Sequence, residues 1–170
     1  MQETPAEYTK RILKYTRNGD ALRIQQSTLQ KIERAIKGLT RKQMMTRPAP
    51  EKWSIGEILA HLAEAELTGG YRLRMILSAN GTVIQAFDQD VWAKNSDYAH
   101  QDPRQSLEMF GVLREANLRL LESIPKKMWN CYGMHEERGK ETIARVVRMF
   151  AGHDMNHGEQ IVAIAQGLSH

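Results

Sequence analysis

The stretch GHDMNHGEQIVAIA, residues 152–165, combines a helical apolar pattern with two histidines four residues apart. Apolar residues recur before and after it at spacings of three and four, which is typical of a helix packed on a core. His153 and His157 fall on that apolar stripe, so their side chains are predicted to point inward. Residues four apart on a helix lie about 6 Å apart at Cβ, which allows two imidazoles to bind one cation.

The two histidines also fit a simpler role as hydrogen-bonded residues of the core or of an interface. A pair at this spacing often arises by chance, and it supplies only two ligands. A third inward histidine favours metal binding, because an imidazole buried without a partner loses its hydration. His61 meets that condition, since it lies beside the apolar positions Ile58 and Ala65. Together these residues predict a three-histidine metal site.

The segment KWSIGEILAHLAEAE, residues 52–66, carries the clearest helix start in the chain. Ser54 and Glu57 have the spacing of a capping box, which fixes the first turn. On the helix that follows, Glu64 and Glu66 lie close in sequence to the histidine. Glutamates on helices are usually solvated, so these two are considered supporting groups and not metal ligands.

Four long helices are predicted from the apolar period, the caps and the proline breaks. They span approximately residues 20–39, 54–77, 102–125 and 141–166, after a short helix over 5–17. Residues 81–101 are expected to form a long connection with one helical turn near Trp92, and residues 125–140 an irregular link. The chain is therefore predicted to be one all-α domain over residues 1–170, a four-helix bundle with a short extra N-terminal helix. The three histidines lie on its second and fourth long helices.

Polar residues of the connections and of the third long helix are further candidates. Five in the long connection are candidates to line a pocket mouth, with loop packing as the alternative: Asp88, Asp90, Trp92, Asp97 and Tyr98. Asn117 interrupts an apolar stripe, and a structural role is favoured for it over a role in the site. His135 is interpreted as a loop histidine and not as a fourth ligand, and nothing near Cys131 indicates a reactive thiol.

Charge and composition limit the kinds of molecule that this chain is expected to bind. The formal charge is +4, and residues 1–52 hold twelve Lys and Arg against five Asp and Glu. A solvated helix face explains such an excess, and a nucleic-acid partner is the less favoured alternative because no recognised binding motif accompanies it. The chain has no apolar signal segment or membrane span, and it has a single cysteine, so a cytoplasmic protein is expected.

Three segments, WSIGEILAHLAEAE, FDQDVW and GHDMNHGEQI, together resemble the DinB-like metal-binding superfamily of bacterial four-helix bundles. The order of one early histidine and two late ones is the distinguishing feature. The resemblance implies a divalent metal, zinc or nickel, bound by His61, His153 and His157. Some members of this superfamily are thiol S-transferases or isomerases that use low-molecular-weight thiols such as bacillithiol or mycothiol, and many have no established activity.

Three imidazoles leave at least one coordination position open, as catalytic zinc sites do. The resemblance therefore favours a metal-dependent thiol S-transferase that joins a small-molecule thiol to an electrophilic substrate, with basic side chains holding carboxylates of the thiol. Asp154 and Glu64 are candidates to orient an imidazole or to move a proton. The alternatives are a metal-dependent hydrolase, and a non-catalytic stress-response or binding module in which the metal is structural.

A homodimer is expected from the N-terminal helices. Their apolar residues Ile12, Leu13, Tyr15 and Ile24 exceed what one bundle face needs, and two-fold pairing is the commonest way to cover such a surface. The resemblance points the same way, since members of the superfamily are often dimers. The alternative is that this segment folds back over one end of its own bundle.

Overall fold

The computed structural model describes residues 4–17 and 19–168. Its helices are α1 (Pro5–Lys14), α2 (Ala21–Ala35), α3 (Arg41–Met44), α4 (Ile55–Ser78), α5 (Gln89–Asn95), α6 (Pro103–Ser123) and α7 (Ile143–Leu168). Its strands are β1 (Thr82–Ile84), β2 (Tyr132–His135) and β3 (Gly139–Thr142), and a 3₁₀ turn covers Lys126–Asn130. Helices α2, α4, α6 and α7 pack together, so the predicted four-helix bundle is confirmed.

The helix starts follow the caps in the sequence. The Ser54 side chain accepts a hydrogen bond from the Glu57 amide at 3.2 Å, and the Glu57 carboxylate accepts from the Ser54 amide at 2.8 Å. Asp102 caps α6 by accepting from the backbone of Arg104 and Gln105. Each cap satisfies backbone donors that a helix leaves unpaired at its N-terminus. The register of the apolar faces is therefore fixed locally.

Two apolar clusters fill the bundle. One contains Ile32, Leu59, Phe110 and Ile161, and the other contains residues further along α4 and α6, such as Leu73 and Leu121. On α4 and α6, the residues between the two clusters include buried polar groups. The bundle therefore has two apolar layers and a polar layer between them.

The polar layer is centred on Arg114, of which 3% is exposed. Its guanidinium donates to both carboxylate oxygens of Asp154, at 2.6 and 2.9 Å, and to Glu66 at 2.9 Å. Thr28 donates to Asp154, and Asn117 donates to Glu66. This network joins all four bundle helices through hydrogen bonds. The structural role favoured for Asn117 matches its place here.

The link over residues 125–140 was predicted to be irregular, and this prediction is wrong. It contains the 3₁₀ turn and a β-hairpin of β2 and β3, and β1 adds to β2 in parallel to give the order β1-β2-β3. Gly139 has φ of +69° at the hairpin turn, where a residue without a side chain is favoured. Strands of three or four residues are too short to show a clear alternation in sequence. The sheet closes one end of the bundle.

Helix α1 packs on α7 of its own chain. Ile12 is fully buried, and a Cβ atom on Gly152 would collide with its backbone carbonyl, so the glycine allows the close approach. Leu13, Tyr15 and Ile24, the other residues used to predict a homodimer, are half-buried within the chain. The homodimer stays a prediction. Among the helices of the described residues, none has the length and apolar character to cross a membrane.

Candidate metal centre

Three histidines from two helices converge inside the bundle. His61 comes from α4, and His153 and His157 come from α7, where a four-residue spacing places them on one face. One ring nitrogen from each lies within 4.8 Å of the others, and the Nε2 atoms of His61 and His153 are 2.8 Å apart. The ring centroids are separated by 4.4 to 4.9 Å. The structure thus brings together the three residues that the sequence predicts as ligands.

A hydrogen bond orients the ring of His157. Its Nδ1 atom lies 2.9 Å from Oε1 of Gln160, one turn later on α7. An amide oxygen only accepts, so Nδ1 carries the proton and Nε2 keeps its lone pair for the cluster. Metal-binding histidines are commonly held by such a bond at the other ring nitrogen. Gln160 was not predicted, although its spacing of three from His157 was a signal for it.

Burial keeps the three imidazoles neutral. It lowers the pKa of His61 to about 3 and the pKa of His157 to about 4. It also lowers the pKa of His153 well below the ordinary value, and the neighbouring histidines add to the effect. Neutral imidazole is the form that binds a metal. Three neutral nitrogen donors without a thiolate suit a divalent transition metal and leave a coordination position open.

A cavity of about 390 Å³ lies against the cluster, and His61 and His153 form part of its wall. Its size falls within the range of small-molecule sites. The rest of the wall comes from α1, α4, the β1–α5 connection, α5, the β2–β3 hairpin and α7, including Tyr8, Arg72, Phe87, His135 and Phe150. A ligand in this cavity would therefore contact two of the three histidines.

The two carboxylates proposed to assist the histidines are bound elsewhere. Glu64 accepts a 2.6 Å hydrogen bond from the hydroxyl of Tyr98, which is buried. Burial and this carboxylate raise the pKa of Tyr98. Asp154 faces Arg114 in the polar layer, where both its oxygens are occupied. Among the described residues, neither carboxylate forms a hydrogen bond with a histidine of the cluster, and a role for Glu64 or Asp154 in orienting an imidazole stays a prediction.

The long connection contributes less to the cavity than predicted. Of its five candidate residues, Asp90 lines the cavity and is exposed. Asp88 caps α5 by accepting from its backbone, and Tyr98 packs at 6.1 Å from Trp53. Asp97 adopts φ of +52° and lies within hydrogen-bond distance of His100. Asp88, Asp97 and Tyr98 therefore serve in loop capping and packing, which was the alternative to lining a pocket mouth.

Two residues of the cavity wall were missed in the sequence. His135 was interpreted as a loop histidine, but it lies on β2 with 3% exposed and lines the cavity. It is not part of the three-histidine cluster in the described residues, so it is not placed as a fourth ligand. Arg72 follows His61 by eleven residues on α4, which returns to the same helix face. That spacing was a usable signal for Arg72.

Similar proteins are known. A Bacillus mycoides (strain KBAB4) protein named as a candidate metal-dependent hydrolase is 23% identical over 139 residues, covering 81% of this chain and 79% of that protein. A similarly named Oceanobacillus iheyensis protein is 23% identical over 136 residues, covering 79% of this chain and 78% of that protein.

Among solved structures, YfiT from Bacillus subtilis matches with a TM-score of 0.80 at 16% identity, covering 99% of this chain and 91% of that chain. YfiT is described as a candidate metal-dependent hydrolase with an unusual four-helix bundle topology, and its likeness confirms the fold. The sequence profile of the DinB superfamily matches residues 25–161. The chain therefore belongs to the DinB superfamily.

Proposed function

We propose that His61, His153 and His157 bind one divalent ion, zinc or nickel, and that the protein is a metal-dependent thiol S-transferase. The observation that carries the metal site is the convergence of three neutral imidazoles at the wall of a cavity. A bound ion of this kind lowers the pKa of a coordinated thiol or water, which makes a nucleophile at neutral pH.

The partners and positions of the carboxylates favour thiol transfer over hydrolysis. Hydrolysis usually needs a general base within hydrogen-bond reach of the water. Here Glu64, Glu66 and Asp154 are each held by a partner within the protein. The acids that line the cavity, Asp90 and Glu137, are both exposed. A thiol bound to such an ion would lose its proton outright, whereas a bound water, with a pKa of about 7, would gain more from a base.

In this reaction the thiolate sulfur forms a bond to an electrophilic carbon, and the leaving group departs with the electron pair. The thiol proton passes to solvent. The residues of the chain hold the reactants: the three imidazoles fix the position of the nucleophile, and the cavity wall orients the electrophile. The cytoplasm expected for this chain would keep the thiol reduced.

Hydrolysis is the second candidate, and the names of the Bacillus and Oceanobacillus relatives support it. A non-catalytic module with an anionic partner has less support. Basic residues of the first third pair with carboxylates of the chain: Arg41 pairs with Asp102, and Arg47 pairs with Glu57. This pairing reduces the charge available to a nucleic acid.

Elemental analysis tests the metal site. We expect about one zinc or nickel ion per purified chain, and almost none in the double variant His153→Ala/His157→Ala. His100→Ala is the matched control, because this histidine is exposed and lies outside the cluster. Full occupancy in the double variant would remove the proposed site.

The reaction is tested with metal-loaded protein, a low-molecular-weight thiol such as N-acetylcysteine, and an aryl halide. Loss of thiol and release of halide should both require the metal. A p-nitrophenyl ester without thiol is the parallel assay. Metal-dependent release of p-nitrophenol without any thiol-dependent turnover would show that hydrolysis is the function. Turnover of neither substrate, with binding of DNA that weakens with salt, would favour the binding module.

A further inference from the structure

The cavity has a second polar group far from the histidines, the guanidinium of Arg72. It lies on the face of α4 that carries His61 and Ala65, and all three line the cavity. Eleven residues of α-helix rise about 16 Å, and long helical side chains lean towards the N-terminus. Arg72 therefore lies on the same cavity wall as His61, three turns further along α4.

Arg72 is a buried cation without a carboxylate partner in the described chain. Its side chain donates one hydrogen bond, from Nη2 to the backbone oxygen of Gln85 at 2.6 Å, and it lies over the ring of Phe87. Nε and Nη1 donate to no group of residues 4–17 and 19–168. Burial lowers the pKa of Arg72 to about 10, so it stays charged at neutral pH. A buried charge without a counter-ion is costly.

The neighbouring charges do not supply that counter-ion. Arg138 binds both oxygens of Glu141 at 3.0 Å, so these two cancel each other. Glu137 and Asp90 are exposed and solvated, and neither forms an ion pair with Arg72 in the described residues. Glu141 and Glu137 favour the charged form of Arg72 from a distance, but no carboxylate of the described residues forms an ion pair with it.

His135 adds a second donor to this wall. Its Nδ1 atom accepts a hydrogen bond from the Glu137 amide at 3.2 Å. Burial lowers the pKa of His135 to about 4, so the ring is neutral and its proton lies on Nε2. That Nε2 atom is buried and has no hydrogen-bond partner among the described residues. Buried polar groups normally have one.

We propose that Arg72 and His135 form an anion subsite that binds a carboxylate of the molecule reacting at the histidine cluster. This inference rests on the proposed function for the reaction at that cluster. A carboxylate offers two acceptor oxygens, and a guanidinium binds it through two parallel N–H groups. The substrate class is thus narrowed to a carboxylate carried several bonds from the reacting atom, on either the thiol or the electrophile.

Matched pairs of substrates show whether the thiol or the electrophile carries the carboxylate that binds at the subsite. The electrophile pair is 4-chloro-3-nitrobenzoate and 4-chloro-3-nitrobenzamide, and the thiol pair is N-acetylcysteine and its amide. Arg72→Gln should raise KM at least tenfold for the carboxylate member of one pair, and change KM less than twofold for its amide. The pair that responds identifies the molecule bound at the subsite. Arg72→Lys should lie between the wild type and Arg72→Gln, because it keeps the charge but not the paired donors.

Arg148→Gln is the control for net charge, since this arginine is exposed on α7 and does not line the cavity. It should leave KM for both members of each pair unchanged. An equal rise of KM for acid and amide in Arg72→Gln would show that Arg72 only holds the Gln85 backbone. No rise for either would also overturn the subsite.

A binding experiment separates failure of the subsite from failure of the proposed reaction. Calorimetry with metal-loaded wild type should give tighter binding of 3-nitrobenzoate than of 3-nitrobenzamide, and Arg72→Gln should remove the difference. This result would support the subsite even if no thiol were transferred. Equal affinity of the wild type for the two compounds would refute the subsite whatever the reaction.

Discussion

Two polar clusters interrupt the apolar interior, and they differ in where their partners lie. In the polar layer, Arg114 has two carboxylate partners within the chain, from α4 and α7. In the cavity, the three imidazoles and Arg72 lack such partners in the described residues. In the first cluster the carboxylates have their cation within the chain, although Nε of Arg114 has no hydrogen-bond partner among the described residues, and this cluster serves the fold. The second lacks carboxylate partners among the described residues. Its imidazoles are suited to a metal ion, and its guanidinium is suited to an anion.

The largest expected effect comes from breaking the ion pairs of the polar layer. Arg114→Leu leaves Asp154 and Glu66 buried without their cation. Loss of one partner of a buried ion pair costs about 3–5 kcal/mol of unfolding free energy. Urea unfolding of the metal-free protein measures it. Arg119→Leu is the control, because its pair with Glu115 is exposed and such pairs contribute about 0–1 kcal/mol. Similar losses in both variants would contradict the structural role of the layer.

The histidine cluster, in contrast, should stabilise the protein when a metal ion binds to it. Zinc at a hundred times its Kd should raise the unfolding free energy of the wild type by about 2.7 kcal/mol. The gain should vanish in His153→Ala/His157→Ala and persist in His100→Ala. Thermal unfolding with and without zinc measures the difference. A gain of the same size in the double variant would place the metal elsewhere.

Gln160 provides a further test of the histidine cluster, because it orients the proposed metal ligand His157 and does not line the cavity. Gln160→Leu removes the acceptor at Nδ1 of His157 and should weaken zinc binding about 10- to 100-fold. Competition with a chromophoric chelator measures the affinity. Gln166→Leu is the control, since this glutamine is exposed on the same helix. Equal affinities in the two variants would mean that the hydrogen bond does not orient the ring.

Local patterns were enough to predict the bundle and the histidine cluster. The capping box of Ser54 and Glu57 and the spacing of His153 and His157 act within four residues, so the sequence displays them directly. Packing of the apolar faces then brings α4 against α7 and carries His61 to the pair. For this site, helical period and a third inward histidine were sufficient.

The remaining features depend on contacts that are distant in sequence. Strand β1 pairs with β2 across the whole of α6, as Thr82 does with Gly133, and no local pattern specifies that register. The position of His135 follows from that pairing. Glu64 has the spacing of a supporting group for His61, but Tyr98, from the long connection, occupies it. Local spacing shows which groups are near, and it does not show which partner each one takes.

The smallest expected effect concerns the ion pair of Arg47 and Glu57 at the start of α4. This pair is intermediate between the buried pairs of Arg114 and the exposed pair of Arg119. Glu57 is buried and Arg47 is half-exposed. Burial of the carboxyl opposes its ionisation, but hydrogen bonds from Arg47 and Ser54 outweigh this and lower the pKa of Glu57 below its ordinary 4.5. A carboxylate with a lowered pKa stabilises the fold above that ordinary value, and the contribution is lost as pH falls through the folded-state pKa.

Glu57→Gln should therefore be less stable than the wild type at pH 7, by about 1 kcal/mol given the exposure of Arg47. The two should converge as pH falls below about 4.5. Urea unfolding across this range measures both, with Glu115→Gln as an exposed control that changes little. A difference that stayed constant with pH would show that the charge of Glu57 does not contribute, because a glutamine side chain can still accept from the Ser54 amide and so keeps the cap.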